Sequence, residues 1–137
     1  MSQLGPLDKI PFLRLLGMFQ EESAPGHSKL QLPELKPEHC NLLAAAHGGV
    51  VMTLLDVAMA RAAISVPDAP TTTVVTVEMS SRFLKPGRGP LLATGRVINA
   101  GRSICTCEAH VHMPDGTHVA AAMGTFKYWR GPVGGVE

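Results

Sequence analysis

Asp56 stands between Leu55 and Val57, inside the most apolar stretch of the chain, residues 42–64. An ionised carboxylate there loses several kcal/mol of solvation unless charges or hydrogen bonds replace the water. Arg61, a strand hydroxyl or solvent would satisfy it; a catalytic or binding role is the alternative. Eight residues upstream is His47-Gly48-Gly49. The glycines lack side chains, so a ligand can approach the backbone N–H groups that a helix start leaves without partners, and the helix dipole adds attraction for negative charge. Such a site suits an oxyanion or a phosphate. Asn41 lies just before it, able to cap the preceding turn, bond to His47 or hold a water.

Spacing constrains how these groups cooperate. From Gly48 to Asp56 is about 12 Å along a helix axis, too far for both to touch one small reacting group. If both serve one carbonyl, they come from different subunits, with two such helices antiparallel across a two-fold axis.

Other clusters read more simply. His110 and His112 share a strand face and His118 follows a Pro114-Asp115-Gly116 turn, but Cys105 and Cys107 should point to the other face, so no metal is expected. Cys105, Cys107, Ala109, Val111 and Met113 form the core-facing set of that strand. Tyr128, Trp129 and Arg130 sit at a strand end and read as edge packing rather than a nucleic-acid platform.

The composition sets the frame for these residues. The 137 residues are 45% hydrophobic and 17% charged, which supports one packed domain and excludes a disordered chain. Twelve Lys and Arg against eleven Asp and Glu give a net +1, with no basic tract, so neither nucleic acid nor an anionic membrane is an expected partner. Three cysteines, an odd number, argue against a disulfide scaffold and for a reducing compartment. The first residues lack the pattern of an export signal, and the apolar stretch is broken by His47, Asp56 and Arg61, so a cytoplasmic, non-membrane protein is expected.

Residues 6–17 predict one or two helical turns limited by Pro11. Two early strands turn at Pro25-Gly26, and a linker with Pro33 and Pro37 ends at Asn41. A helix of about five turns is expected over 48–65, stopped by Pro67 and Pro70. Period-two patterns then predict strands over 75–83, 91–98, 104–113 and 119–129, with Val75, Val77, Met79 and Phe83 alternating with Thr76, Glu78, Ser80 and Arg82. Short connections favour an antiparallel sheet, curved around the single long helix. On that helix Val51, Leu54, Ala58 and Ala62 make a stripe for the sheet, while Gly49, Met52, Asp56, Ala60 and Ala63 face the other way. A helix apolar almost all round suggests a homodimer with Asp56 at the contact. Residues 131–137, rich in Gly, read as a frayed tail.

The run Asn41-Leu-Leu-Ala-Ala-Ala-His47-Gly48-Gly49-Val-Val-Met-Thr-Leu-Leu-Asp56, with Ala60 and the segment from Val77-Glu78 to Pro86, resembles the hot-dog fold acyl-CoA thioesterases of the phenylacetic-acid-degradation type. The likeness covers residues 13–128. It implies an α+β hot-dog fold, a curved antiparallel sheet wrapped around one central helix, over the whole chain as one domain, in a dimer that pairs into a tetramer. It also implies that the Gly48 N–H polarises the thioester carbonyl while Asp56 of the other subunit is nucleophile or general base. Asn41 places the water or thioester, His47 supports the loop, and Thr76, with Thr73 as the other register, assists the carboxylate. One departure is Ala44, where the family pattern commonly has Gly.

Under that resemblance Lys85 and Arg88, among Arg82 and Arg102, are the expected grip on coenzyme A phosphates. Gly49 lies at the substrate, and Met52, Leu55 and Met59 are expected around the acyl group. No cofactor is required: thiolate leaves readily, and an N–H aimed at the oxyanion stabilises the tetrahedral transition state. Aryl or medium-chain acyl groups are the expected substrates. The rival readings are an acyl-carrier-protein thioesterase, a hydratase or dehydratase, and a non-catalytic acyl-CoA-binding module.

Overall fold

A computed structural model describes residues 7–67 and 73–134. Residues 68–70 of the expected helix stop and residues 135–137 of the tail lie outside the described residues. Six strands form one antiparallel sheet in the order β1-β2-β4-β5-β6-β3. They are β1 (Phe19–Glu21), β2 (His27–Leu32), β3 (Val74–Phe83), β4 (Leu91–Ala100), β5 (Ile104–His112) and β6 (His118–Tyr128). Helix α1 is Pro11–Leu16 and the long helix α2 is Gly48–Ile64, so the α+β hot-dog architecture expected from the sequence is the one observed.

Pro11 starts α1 rather than limiting it. Its ring occupies the first helical turn, where no intrahelical N–H bond is lost, and Gly17 at φ 80° ends the helix in the left-handed region. The two early strands pair across their turn as expected, with Phe19 opposite Gln31. Connectivity departs from simple succession at β3, which pairs with β6 and forms the far edge of the sheet. Residues 84–90 therefore carry the chain back across the sheet to β4. On the way the N–H groups of Leu84 and Lys85 donate to the Val119 carbonyl (2.8 and 3.2 Å), and Ala46 N–H donates to the Gly87 carbonyl (2.8 Å). That last bond ties the crossing to the loop that leads into α2.

The expected sheet-facing stripe of α2 is in place: Val51 is 2% exposed and Leu54, Ala58 and Ala62 are wholly buried. Each buried Leu or Val contributes about 1.5–3 kcal/mol, so this face anchors the helix on Cys105, Cys107, Ala109, Val111 and Phe126, all without exposed area. The opposite stripe is open at Gly49 and Met52 and half-open at Asp56 and Ala60. Ala63 is the exception: it is wholly buried, and its carbonyl accepts the Tyr128 hydroxyl at 3.0 Å, because the sheet wraps past the helix at this end. Ser65 closes α2, its hydroxyl donating to the Ala62 carbonyl (2.9 Å) and accepting from Gly26 N–H (2.9 Å).

The helix backbone approaches β4 most closely at Gly95. A Cβ there would overlap the carbonyl of Ala58, which also accepts the Ser28 hydroxyl. Two small residues on β2 and β4 thus let α2 settle into the concave face.

Candidate active site at the start and middle of the central helix

Asp56 faces out of the α2–β4 packing, towards edge strand β3. The Thr76 hydroxyl donates to Asp56 Oδ1 at 2.7 Å. A strand hydroxyl therefore partners the carboxylate, and Arg61 does not. Arg61 is buried, with Nε donating to Gln20 Oε1 at 2.9 Å, and burial lowers its pKa from the ordinary guanidinium value.

Thr76 reaches Asp56 because β3 is irregular. Strict alternation would put Thr76 on the face of Glu78. The register shifts between them, so Thr76 pairs with buried Phe126 while Glu78 pairs with Thr125, and Val77 is the extra residue of a bulge. Thr76 consequently shares the helix-facing side of β3 with Met79, Ser81 and Phe83. Thr73 lies at the other end of this segment, its carbonyl accepting Trp129 N–H at 3.2 Å.

At the helix start the N–H accounting leaves one donor. His47 is the N-cap. Its carbonyl accepts from Val50 and Val51 (2.9 and 3.1 Å), and its Nδ1 accepts from Gly49 N–H (3.0 Å). Gly49 is thus a partner of the cap rather than a donor to substrate. Among the described residues Gly48 N–H has no acceptor, and nothing lies closer than 3.9 Å to where its Cβ would be. One helix-start N–H, carrying the positive end of the helix dipole, is left open.

Asn41 is committed to the loop that precedes this start. Its Oδ1 accepts from Leu43 N–H (2.9 Å) and Ala45 N–H (3.2 Å), and its own N–H donates to the Ala45 carbonyl (2.8 Å). That tight turn places Ala44 at φ 56°, the left-handed region. A non-glycine residue pays about 1–2 kcal/mol there, whereas Gly gives back about 0.5–1 kcal/mol through its freer unfolded chain. Ala44→Gly is therefore expected to stabilise the protein by about 0.5–1 kcal/mol, read as a higher denaturant midpoint at unchanged slope. A lower midpoint would mean that the loop does not hold this conformation.

An open depression of about 600 Å³ lies beside this loop, lined by Cys40, Asn41, Leu42, Leu43 and His47. Of the expected acyl contacts, Met52 is 43% exposed on the same face as Asp56, but Leu55 and Met59 are wholly buried in the core under the sheet. They fall there because α2 turns only part of its circumference outward. Leu42 and Leu43, at 104% and 71% exposure, are the apolar surface that sequence reasoning missed. Lys85 and Arg88 are exposed on the crossing segment, and neither forms an ion pair among the described residues. The Trp129 indole donates to the Pro132 carbonyl at 3.0 Å, folding the first tail residues back.

The family model of the thioesterase superfamily matches residues 43–120, more than half of the chain and including both Gly48 and Asp56. The chain belongs to that superfamily. Ester and thioester hydrolysis is the general activity of this hot-dog group. A Halobacterium salinarum protein named as an esterase is 29% identical over 133 residues, spanning 90% of this chain and 88% of its own. A conserved Pseudomonas aeruginosa protein superposes with a TM-score of 0.79 at 28% identity, covering 86% of this chain and 93% of that one. The E. coli PaaI protein of the phenylacetic acid degradation operon shares the fold, with a TM-score of 0.79 at 21% identity, covering 88% and 86%. No described helix of this thioesterase-superfamily chain is long and apolar enough to cross a membrane.

Proposed function

We propose that the protein hydrolyses acyl-CoA thioesters of aryl or medium-chain acids, in the manner of the phenylacetic-acid-degradation type, at sites shared between two copies of the chain. The observation that carries this reading is the pairing of an oriented carboxylate, Asp56 held by Thr76, with the open Gly48 N–H on the same helix. The two groups are about 12 Å apart along the axis, so each needs the other from a second copy. β3 supports such a copy: it is the sheet edge beside Asp56, ten residues long, with Val75, Val77 and Phe83 exposed. Unpaired, apolar edges are the strands that add to another sheet. The homodimer, and the tetramer built from it, belong to this proposal, as does a reducing, cytoplasmic setting for Cys40, Cys105 and Cys107.

In this scheme the thioester carbonyl oxygen sits on Gly48 N–H. Asp56 either removes a proton from the attacking water or itself attacks the carbonyl carbon, giving a mixed anhydride that water then cleaves. Either way the C–S bond breaks, the thiolate takes up a proton, and the products are the free acid and coenzyme A. With Oδ1 bound to Thr76, Oδ2 is the oxygen left to act. Asn41 and His47 act through the loop and cap, as positioning residues. Met52 and the Leu42-Leu43 loop border the acyl group, and Lys85 and Arg88 supply charge for the coenzyme A phosphates.

Thiol release from a panel of acyl-CoA compounds tests the proposal, alongside the same acyl groups on carrier protein and an enoyl thioester. Turnover of aryl and medium-chain acyl-CoA is the expected result. Preference for carrier-protein thioesters, hydration of the enoyl compound without thiol release, or no turnover at all would each overturn it.

Thr76 gives a finer test. A hydrogen bond to a charged group contributes about 1.5–3 kcal/mol, so Thr76→Val should lower kcat by about 10–100-fold with KM little changed, and Thr76→Ser should restore most of it. Equal rates for Thr76→Val and the parent would remove Thr76 from the site.

A further inference from the structure

A second cluster of chemically capable side chains lies on the face of the sheet away from α2. Glu108, His110 and His112 alternate along β5 with Cys107, Ala109 and Val111, which are buried against the helix. His118 opens β6 directly opposite His112 in the strand register. Cys105 and Cys107 do point to the other face, as the sequence predicts, but Glu108 brings a carboxylate to the histidine side.

The geometry is specific. His110 Nδ1 and His118 Nε2 face each other at 3.0 Å. Two imidazole nitrogens bound about 2.0–2.1 Å from one metal ion in adjacent positions stand about 3.0–3.4 Å apart, so the pair is already at chelating distance. The far nitrogen of His110, Nε2, lies 3.8 Å from Glu108 Oε2, and the other oxygen of Glu108 is held by Arg96 of β4. The negative charge of Glu108 close behind the His110 ring favours a bound cation. The His112 ring stacks on His118 with centroids 4.5 Å apart and planes at 11°, limiting rotation of the second ligand. Among the described residues no three His, Cys, Asp or Glu side chains converge on one point. The arrangement is a dyad with its remaining positions open to water.

We propose that His110 and His118 bind a divalent late transition-metal cation of the copper, nickel or zinc class, clipping β5 to β6 on the outer face of the sheet. Imidazole ligands with open positions suit these ions, and the absence of converging carboxylates does not suit magnesium or calcium. The site is separate from Asp56 and does not depend on the thioesterase reading.

Calorimetric titration of the full chain, free of any histidine tag, with Cu²⁺, Ni²⁺, Zn²⁺ and Mg²⁺ tests the site. One transition-metal ion per chain is expected, with Cu²⁺ bound most tightly and Mg²⁺ not bound. His110→Gln and His118→Gln should each weaken binding by about tenfold or more, while His112→Phe, which keeps a stacking ring, should stay within about threefold. Melting curves of the metal-free variants verify that they fold, since all three side chains are partly exposed. Nitrogen hyperfine structure in the Cu²⁺ spectrum should disappear with the dyad. Absence of binding, or binding untouched by both dyad variants, would overturn the proposal; the second result would mark an adventitious ion only.

Discussion

Asp56→Ala is expected to reduce thioester turnover by about 10²–10⁴-fold, the range supplied by a positioned acid–base group, while leaving the fold intact. The two halves of that expectation have separate physical grounds. Catalysis suffers because no other carboxylate stands on the outward stripe of α2, formed by Gly49, Met52, Asp56 and Ala60. Stability does not, because Asp56 is only half-buried and its hydrogen-bond partner among the described residues, Thr76, is exposed and can bond to water instead. Alanine is also the better helix former. Thiol-release kinetics and a melting curve on the same preparation check both halves. A retained rate would exclude Asp56 from the chemistry, whereas a collapse of the melting temperature would show it to be structural.

Gly95→Ala has the largest expected effect on stability. The added methyl would overlap the Ala58 carbonyl, which is backbone of α2 and cannot rotate away. Overpacking commonly costs about 1–3 kcal/mol and sometimes more; here relief requires moving the whole helix off β4, so the upper end or beyond is expected. The same contact holds the Ser28 hydroxyl on Ala58 O, and that bond would be strained in the same movement. Denaturant unfolding should show a strongly lowered midpoint, or the chain should fail to accumulate as folded protein. A midpoint close to the parent's would contradict the close approach of α2 to the sheet.

Much of this was legible from residue order alone. The central helix, the succession of strands and the inward face of Cys105, Cys107, Ala109 and Val111 follow from periodicity, and the Asp56–Thr76 partnership follows from the family resemblance. Periodicity by itself would have misplaced Thr76. Reading two-residue alternation through 76–78 puts it with Glu78 on the outer face, and only the bulge at Val77 turns it inward. Nothing in the local residue types marks that bulge. Side-chain competition was equally hidden: that the His47 ring takes up the N–H of Gly49 depends on its rotamer, which residue types alone do not give. Leu55 and Met59 were assigned to the acyl group because their types fit, yet how much of a nearly all-apolar helix faces out is set by the curvature of the sheet. Ala44 shows the reverse case, in which a departure seen in the sequence corresponds to a backbone angle, φ 56°, that glycine would adopt more easily.

The central claim, a carboxylate from one copy meeting the helix start of another, is tested most directly by mixing two inactive variants. Asp56→Ala removes the carboxylate, and Gly48→Pro removes the N–H at the first helical position, where proline is well tolerated. Each variant alone should be inactive. Heterodimers formed by coexpression should recover one working site of the two, because one chain contributes Asp56 and the other Gly48. Heterodimers that form and fold but release no thiol would contradict the shared site.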